Sequence, residues 1–119
     1  MTRLLALLLT LAAGAAVAQE TTETGTGALL RGLDKLNGRA TDLEVRSGNS
    51  TEFGRIEITV EDCRYPQGNR AGEAFAFLTV REMGTAEPVF WGWMIASSPA
   101  LNPMDHQRYD VWVIRCTNS

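Results

Sequence analysis

The chain has 119 residues, 21% of them charged, and a formal net charge of −3. Beyond Arg3 its basic residues are scattered singly from Arg31 to Arg115, with no run that would form a patch in sequence. A mildly acidic chain of this kind has no electrostatic basis for holding nucleic acid or anionic lipid.

Residues 1–18 read as a secretory signal peptide. Arg3 makes a short positive n-region, an apolar run extends from Leu4 to Val17, and Ala16-Val17-Ala18 is a small-residue cleavage site. The run is shorter than the roughly 20 apolar residues of a spanning helix, and no basic residue follows before Arg31. No membrane span is therefore expected after cleavage. No cysteine sits at the cleavage point to take a lipid. The mature chain is expected to begin at Gln19, to form one domain of about 101 residues, and to carry a charge of about −4 once Arg3 is removed.

Export places Cys63 and Cys116 in an oxidising compartment, so a single disulfide is the expected pairing. It would close a loop of about 54 residues, worth about 4 kcal/mol in the chain-entropy model. A redox or metal pair is the competing reading, and the cysteines lack the C-x-x-C spacing it would favour.

Residues 19–27 (QETTETGTG) contain no large apolar side chain and are expected to form a flexible leader. Residues 28–33 are a first apolar strand, and Asn37-Gly38 is a hairpin-turn signal because both residues tolerate positive φ. Residues 39–45 return with Thr41, Leu43 and Val45 on one side and Asp42 and Glu44 on the other. Residues 47–50 are a second turn. Residues 53–60 alternate most cleanly, with Ile56, Ile58 and Val60 against Arg55, Glu57 and Thr59. Continued alternation would place Cys63 on the wet face, so a buried disulfide demands a bulge or strand end near Asp62.

Residues 65–72 (YPQGNRAG) have loop composition. Residues 74–80 are apolar on both faces and predict a central strand, or one covered on both sides. Residues 89–95 follow, with Val89, Trp91, Trp93 and Ile95 on one face and Phe90, Gly92 and Met94 on the other. Residues 97–107 are irregular and contain Pro99 and Pro103. Residues 109–116 close the chain, with Trp112, Ile114 and Cys116 on one face and Val111 and Val113 on the other. No window of the mature chain has a convincing helical period. About six short strands with turn signals between them predict an all-β domain over residues 28–119, a small antiparallel sandwich or barrel with one disulfide.

Several residues could carry chemistry. Ser97, Ser98, Asp105, His106 and Asp110 include the types of a nucleophilic triad, but they share one loop and its flanking strand, and no G-x-S-x-G elbow is present. Turn chemistry is the simpler account of Ser97-Ser98-Pro99. Met94, Met104 and His106 could offer soft ligands to Cu(I), although a mid-strand methionine more commonly fills a core. Glu61, Asp62 and Glu73 adjoin turns and read as solvated acids rather than a glycosidase pair. Two indoles on one strand face, Trp91 and Trp93, could make a stacking platform for a glycan or a docking patch for a protein; core packing is the competing reading. The loop between Pro99 and Tyr109 is the second place a scaffold would display function.

A series of residues carries a family likeness: Leu33-Asp34-Lys35, Phe53-Gly54, Cys63-Arg64, Ala74-Phe75-Ala76-Phe77-Leu78, Gly92-Trp93-Met94, Ser97-Ser98-Pro99-Ala100-Leu101, His106, Tyr109-Asp110-Val111-Trp112-Val113 and Cys116. In these the chain resembles the small exported alphaproteobacterial proteins grouped as domain of unknown function 2155. The resemblance runs from about Ala28 to Cys116 and implies a compact periplasmic domain. It implies no activity. Family members often have proline directly after the histidine, where this chain has Gln107, so the backbone there is less rigidly set.

The expectation is a periplasmic, non-catalytic binding module without a cofactor or metal, acting on an envelope protein or a glycan. Its candidate surface is Trp91, Trp93, Ser97, Ser98, Asp105, His106 and Tyr109. The alternative is a small hydrolase or copper carrier built on the loop from Ser97 to Asp110.

Overall fold

Residues 21–118 are described by the computed structural model, and residues 1–18, read above as a signal peptide, lie outside them. The strands are β1 (Thr22–Thr24), β2 (Gly27–Asp34), β3 (Arg39–Arg46), β4 (Ser50–Phe53), β5 (Ile56–Pro66), β6 (Phe75–Glu82), β7 (Pro88–Ile95) and β8 (Tyr109–Thr117). Every pairing is antiparallel. The larger sheet runs β1-β5-β6-β7, with β4 also on β5, and the smaller runs β3-β2-β8. The two pack face to face as a sandwich. Among the described residues no helix is long and apolar enough to cross a membrane.

Alternation builds the core. Ile56, Ile58 and Val60 of β5, Ala76, Leu78 and Val80 of β6, and Phe90 and Met94 of β7 are buried from one sheet. Ala28 and Leu30 of β2 and Val111 and Val113 of β8 meet them from the other. Cys63 and Cys116 are bonded, so the disulfide joins β5 of one sheet to β8 of the other.

Both cysteines reach the interior by way of bulges. The β5–β6 register shifts between Val60 and Asp62, which leaves Glu61 as the extra residue and returns Cys63 to the buried face. This meets the requirement drawn from the alternation. The β2–β8 register also shifts, passing from Leu29↔Arg115 to Leu30↔Val113 and skipping Ile114. Cys116 therefore shares the inner face with Val111 and Val113, not the face of Trp112 and Ile114 that strict alternation assigns it.

Eight strands replace the six expected, for two reasons. Phe53 ends β4 and pairs with Ile56, so Gly54-Arg55 is a two-residue hairpin loop, with Gly54 at φ 59°. Strand β5 then continues through Tyr65 and Pro66, which composition assigned to a loop. The polar leader is also partly ordered. Thr22–Thr24 pairs with β5, and Arg64 donates to the Thr22 and Thr24 hydroxyls at 2.8 Å each. Backbone and guanidinium bonds hold this strand where apolar burial could not.

Candidate functional site

Register maps the outer face of the larger sheet row by row. Ser50, Thr59, Thr79 and Trp91 lie across the four strands in one row, and Asp62, Phe77 and Trp93 in the next. Arg64, Phe75 and Ile95 form the row beyond. Strand β7 turns Phe90 and Met94 inward, so Trp91 and Trp93 point out, 68% and 41% exposed. They stand at the free side of an edge strand that carries no charged residue from Pro88 to Ile95.

The two indoles are held in place by Phe77. Its ring lies 5.3 Å from that of Trp91 and 5.1 Å from that of Trp93, at 83° and 88°. Edge-to-face contacts of this kind fix ring orientation as well as adding dispersion. The apolar appearance of residues 74–80 on both faces is explained here: Phe75 and Phe77 form the floor under the tryptophans. Beside Trp93, Thr22, Arg64 and Phe75 complete a shallow hollow of about 270 Å³.

The carboxylates of this face sit on its other half. The bulge swings Glu61 outward, and the Thr79 hydroxyl donates to its Oε2 at 2.9 Å. Thr79 is opposite Trp91, so Glu61 is anchored next to the indole row. Asp62 lies 3.7 Å from Arg64, and Glu52 and Glu57 face each other across β4 and β5. Sequence reading grouped Glu61 and Asp62 as solvated acids and passed over Phe77 and Thr79. The predicted bulge was the signal for Glu61, since an extra residue has to point out.

The loop after β7 is tied down along its length. Ser97 donates to Glu73 through both its hydroxyl and its N–H, and Ala74 N–H donates to the same carboxylate. Burial pushes the Glu73 carboxyl up, but these bonds outweigh it and hold the group below its ordinary value. Ser98 sits in the turn, with its N–H bonded to the Ile95 carbonyl at 3.0 Å. The Asn102 amide donates to the Trp93 carbonyl at 2.8 Å, and Gly92 leaves room for it. Leu101 projects into solvent, whereas Met104 is buried in the core with Met94. Asp105 is exposed, and Asp110 accepts from the Val111 N–H.

His106 is engaged at both ring nitrogens. Its Nδ1 accepts from the N–H groups of Arg108 and Tyr109 at 3.0 and 3.1 Å. The proton therefore sits on Nε2, which faces Glu82 Oε1 at 2.9 Å. Arg108 forms a fork to Asp34 at 3.2 and 3.0 Å, and Lys35 donates to the His106 carbonyl at 2.7 Å. The Arg108 hydrogen bond holds the Asp34 carboxyl below its ordinary value.

The candidate residues thus fall into separate settings. Trp91 and Trp93 share one exposed face. Ser97 is paired with Glu73 and His106 with Glu82, so the serine and histidine of the hydrolase reading have different partners. Among the described residues no group of three or more His, Cys, Asp or Glu side chains is placed to hold a metal ion. Tyr109, expected as part of the candidate surface, is instead buried in the core at 2% exposed. Its ring packs on Phe53 at 5.5 Å, and its hydroxyl accepts from the Arg55 N–H at 3.0 Å.

A family model described as "Uncharacterized protein conserved in bacteria (DUF2155)" matches residues 28–116. The chain is 24% identical over 87 residues to "Uncharacterized protein RP359" of Rickettsia prowazekii (strain Madrid E), a match that covers 71% of this chain and 56% of that relative. The chain thus spans little more than half the relative's length. No solved structure matches.

Proposed function

The chain belongs to the bacterial family DUF2155, whose description carries no activity, and from that premise we propose that it is a non-catalytic binding module exported to the periplasm. The outer face of the larger sheet is its binding surface. One observation carries the reading: two tryptophans, 68% and 41% exposed, are fixed side by side on Phe77. Leaving such rings partly in water forgoes a share of the about 1.5–3 kcal/mol that full burial of a large apolar side chain brings, and contiguous exposed apolar area on a small domain marks an interaction site.

The loop contributes shape rather than chemistry. His106 is engaged on both sides of its ring, at Nδ1 by the Arg108 and Tyr109 N–H groups and at Nε2 by Glu82. Ser97 is bonded to the Glu73 carboxylate through its hydroxyl and its N–H. Asn102 anchors the loop to Trp93, and the exposed Leu101 lies one residue away.

Photocrosslinking in intact cells tests the surface. A photoreactive phenylalanine derivative at position 91 or 101 is expected to give a discrete adduct that the same group at position 44, on the smaller sheet, does not give. Identical products from all three positions, or none from 91 and 101, would remove the reading. Export has its own check: the intact mass of the periplasmic protein should correspond to a chain starting at Gln19, and recovery only of the full 1–119 mass from the cytoplasm would count against it.

A further inference from the structure

We infer that the occupant of the outer face is a cationic side chain, lysine or arginine, on an exposed segment of a partner protein. This rests on the binding reading above and names the chemistry of its ligand.

The argument is one of complementarity. Among the described residues the outer face of the larger sheet carries Glu52, Glu57, Glu61 and Asp62, against Arg64 and Arg81. Both guanidinium groups are already engaged. Arg64 is held by Thr22, Thr24 and Asp62, and Arg81 donates to the Ala86 carbonyl at 3.1 Å. Four carboxylates against two guanidinium groups make the face net acidic, with Arg64 beside Trp93 and Glu61 on the Trp91 side.

The two indoles differ in their polar neighbours: Arg64 and Thr22 stand beside Trp93, whereas on the Trp91 side the neighbour is Thr79 with the Glu61 carboxylate it anchors. The Thr79 hydroxyl spends its proton on Glu61 Oε2, and Thr79 itself is 4% exposed. Glu61 Oε1 has no partner among the described residues. An ammonium or guanidinium group offers donors alone and carries the positive charge that the Glu61 carboxylate lacks. Such a cation also binds the faces of indole rings through their quadrupole, most strongly at tryptophan. A lysine or arginine stem lying along Trp91 and Phe77, with its head toward Glu61, would satisfy both surfaces at once.

Titration of the oxidised protein, followed by tryptophan emission, tests this. The probes are a 12-residue Gly/Ser peptide carrying four arginines, its glutamate counterpart, and a neutral β-linked hexasaccharide of N-acetylglucosamine. The arginine peptide is expected to bind, and more weakly as salt rises. Glu61→Gln keeps an acceptor for Thr79 but removes the charge, and should weaken binding about fivefold, as should Trp91→Ala. Trp91→Phe should restore part of the loss. Glu44→Gln changes net charge equally on the smaller sheet and should leave affinity within about twofold.

Equal losses from Glu44→Gln and Glu61→Gln would mean bulk charge alone, and would overturn the inference. Saturation by the hexasaccharide without binding of the arginine peptide, or no binding of that peptide, would overturn it too. Crosslinks from position 91 that survive Glu61→Gln unchanged would sink the cation while leaving the binding surface standing. Absence of crosslinks would sink the surface itself.

Discussion

Occupied ring nitrogens make His106 a structural residue. Its Nδ1 satisfies two main-chain N–H groups of the turn into β8, and its Nε2 reaches β6 through Glu82. His106→Ala leaves those donors without the ring and is expected to cost about 1–3 kcal/mol in urea unfolding. Asp34 and Glu73 act on the same loop through charge. Both titrate below their ordinary values of 3.8 and 4.5 in the folded protein, so the unfolded chain binds more protons in acid. Their contribution is complete above those ordinary values and is lost as pH falls through the lower folded ones. The urea midpoint should be level from about pH 7 to 5 and drop below about pH 4. Asp34→Asn should lower the neutral midpoint and make the acid fall shallower. Gly54 is constrained from the other side, because a Cβ at φ 59° would overlap the Tyr109 ring. Gly54→Ala is expected to destabilise by about 2 kcal/mol or more.

At the scale of elements, β7 shows what alternation can and cannot convey. Parity separated Val89, Trp91, Trp93 and Ile95 from Phe90 and Met94 correctly. It could not say which set faces out, because both sets are apolar. The answer depends on the opposite sheet, which covers the Phe90 and Met94 side. Phe90→Ala should therefore cost about 3–5 kcal/mol by cavity formation, and Trp91→Ala only about 1 kcal/mol, the contact with Phe77. Thermal or urea unfolding of the two variants separates them. The bulges were unequally legible for a related reason. In β5 the spacing from Val60 to Cys63 conflicts with a shared buried face, and the conflict forecasts a bulge. In β8, Cys116 follows Trp112 and Ile114 at even spacing, so the sequence contains no conflict to notice. Strand β1 was illegible because Arg64 and backbone bonds hold it, and neither leaves a hydrophobic pattern. The partners of Ser97 and His106 come from β6 and the segment before it, distant in sequence and brought near only by the sheet.

For the molecule as a whole, the disulfide fastens one sheet to the other. Replacing both cysteines by serine should remove about 4 kcal/mol, the loop-closure value for a sequence separation of 53. Reductant should lower the midpoint of the wild-type chain by a similar amount and leave the double variant unmoved. The topology has a further consequence. The central strand of the smaller sheet, β2, lies between β3 and β8, so the first core strand finds its second neighbour only in the last. Until residues 109–117 are available, Ala28 and Leu30 have a hairpin partner but no completed layer. A chain emerging from its N-terminus, from a ribosome or through a narrow channel, therefore carries an unfinished inner layer until the strand that holds Val111 and Val113 has followed it out.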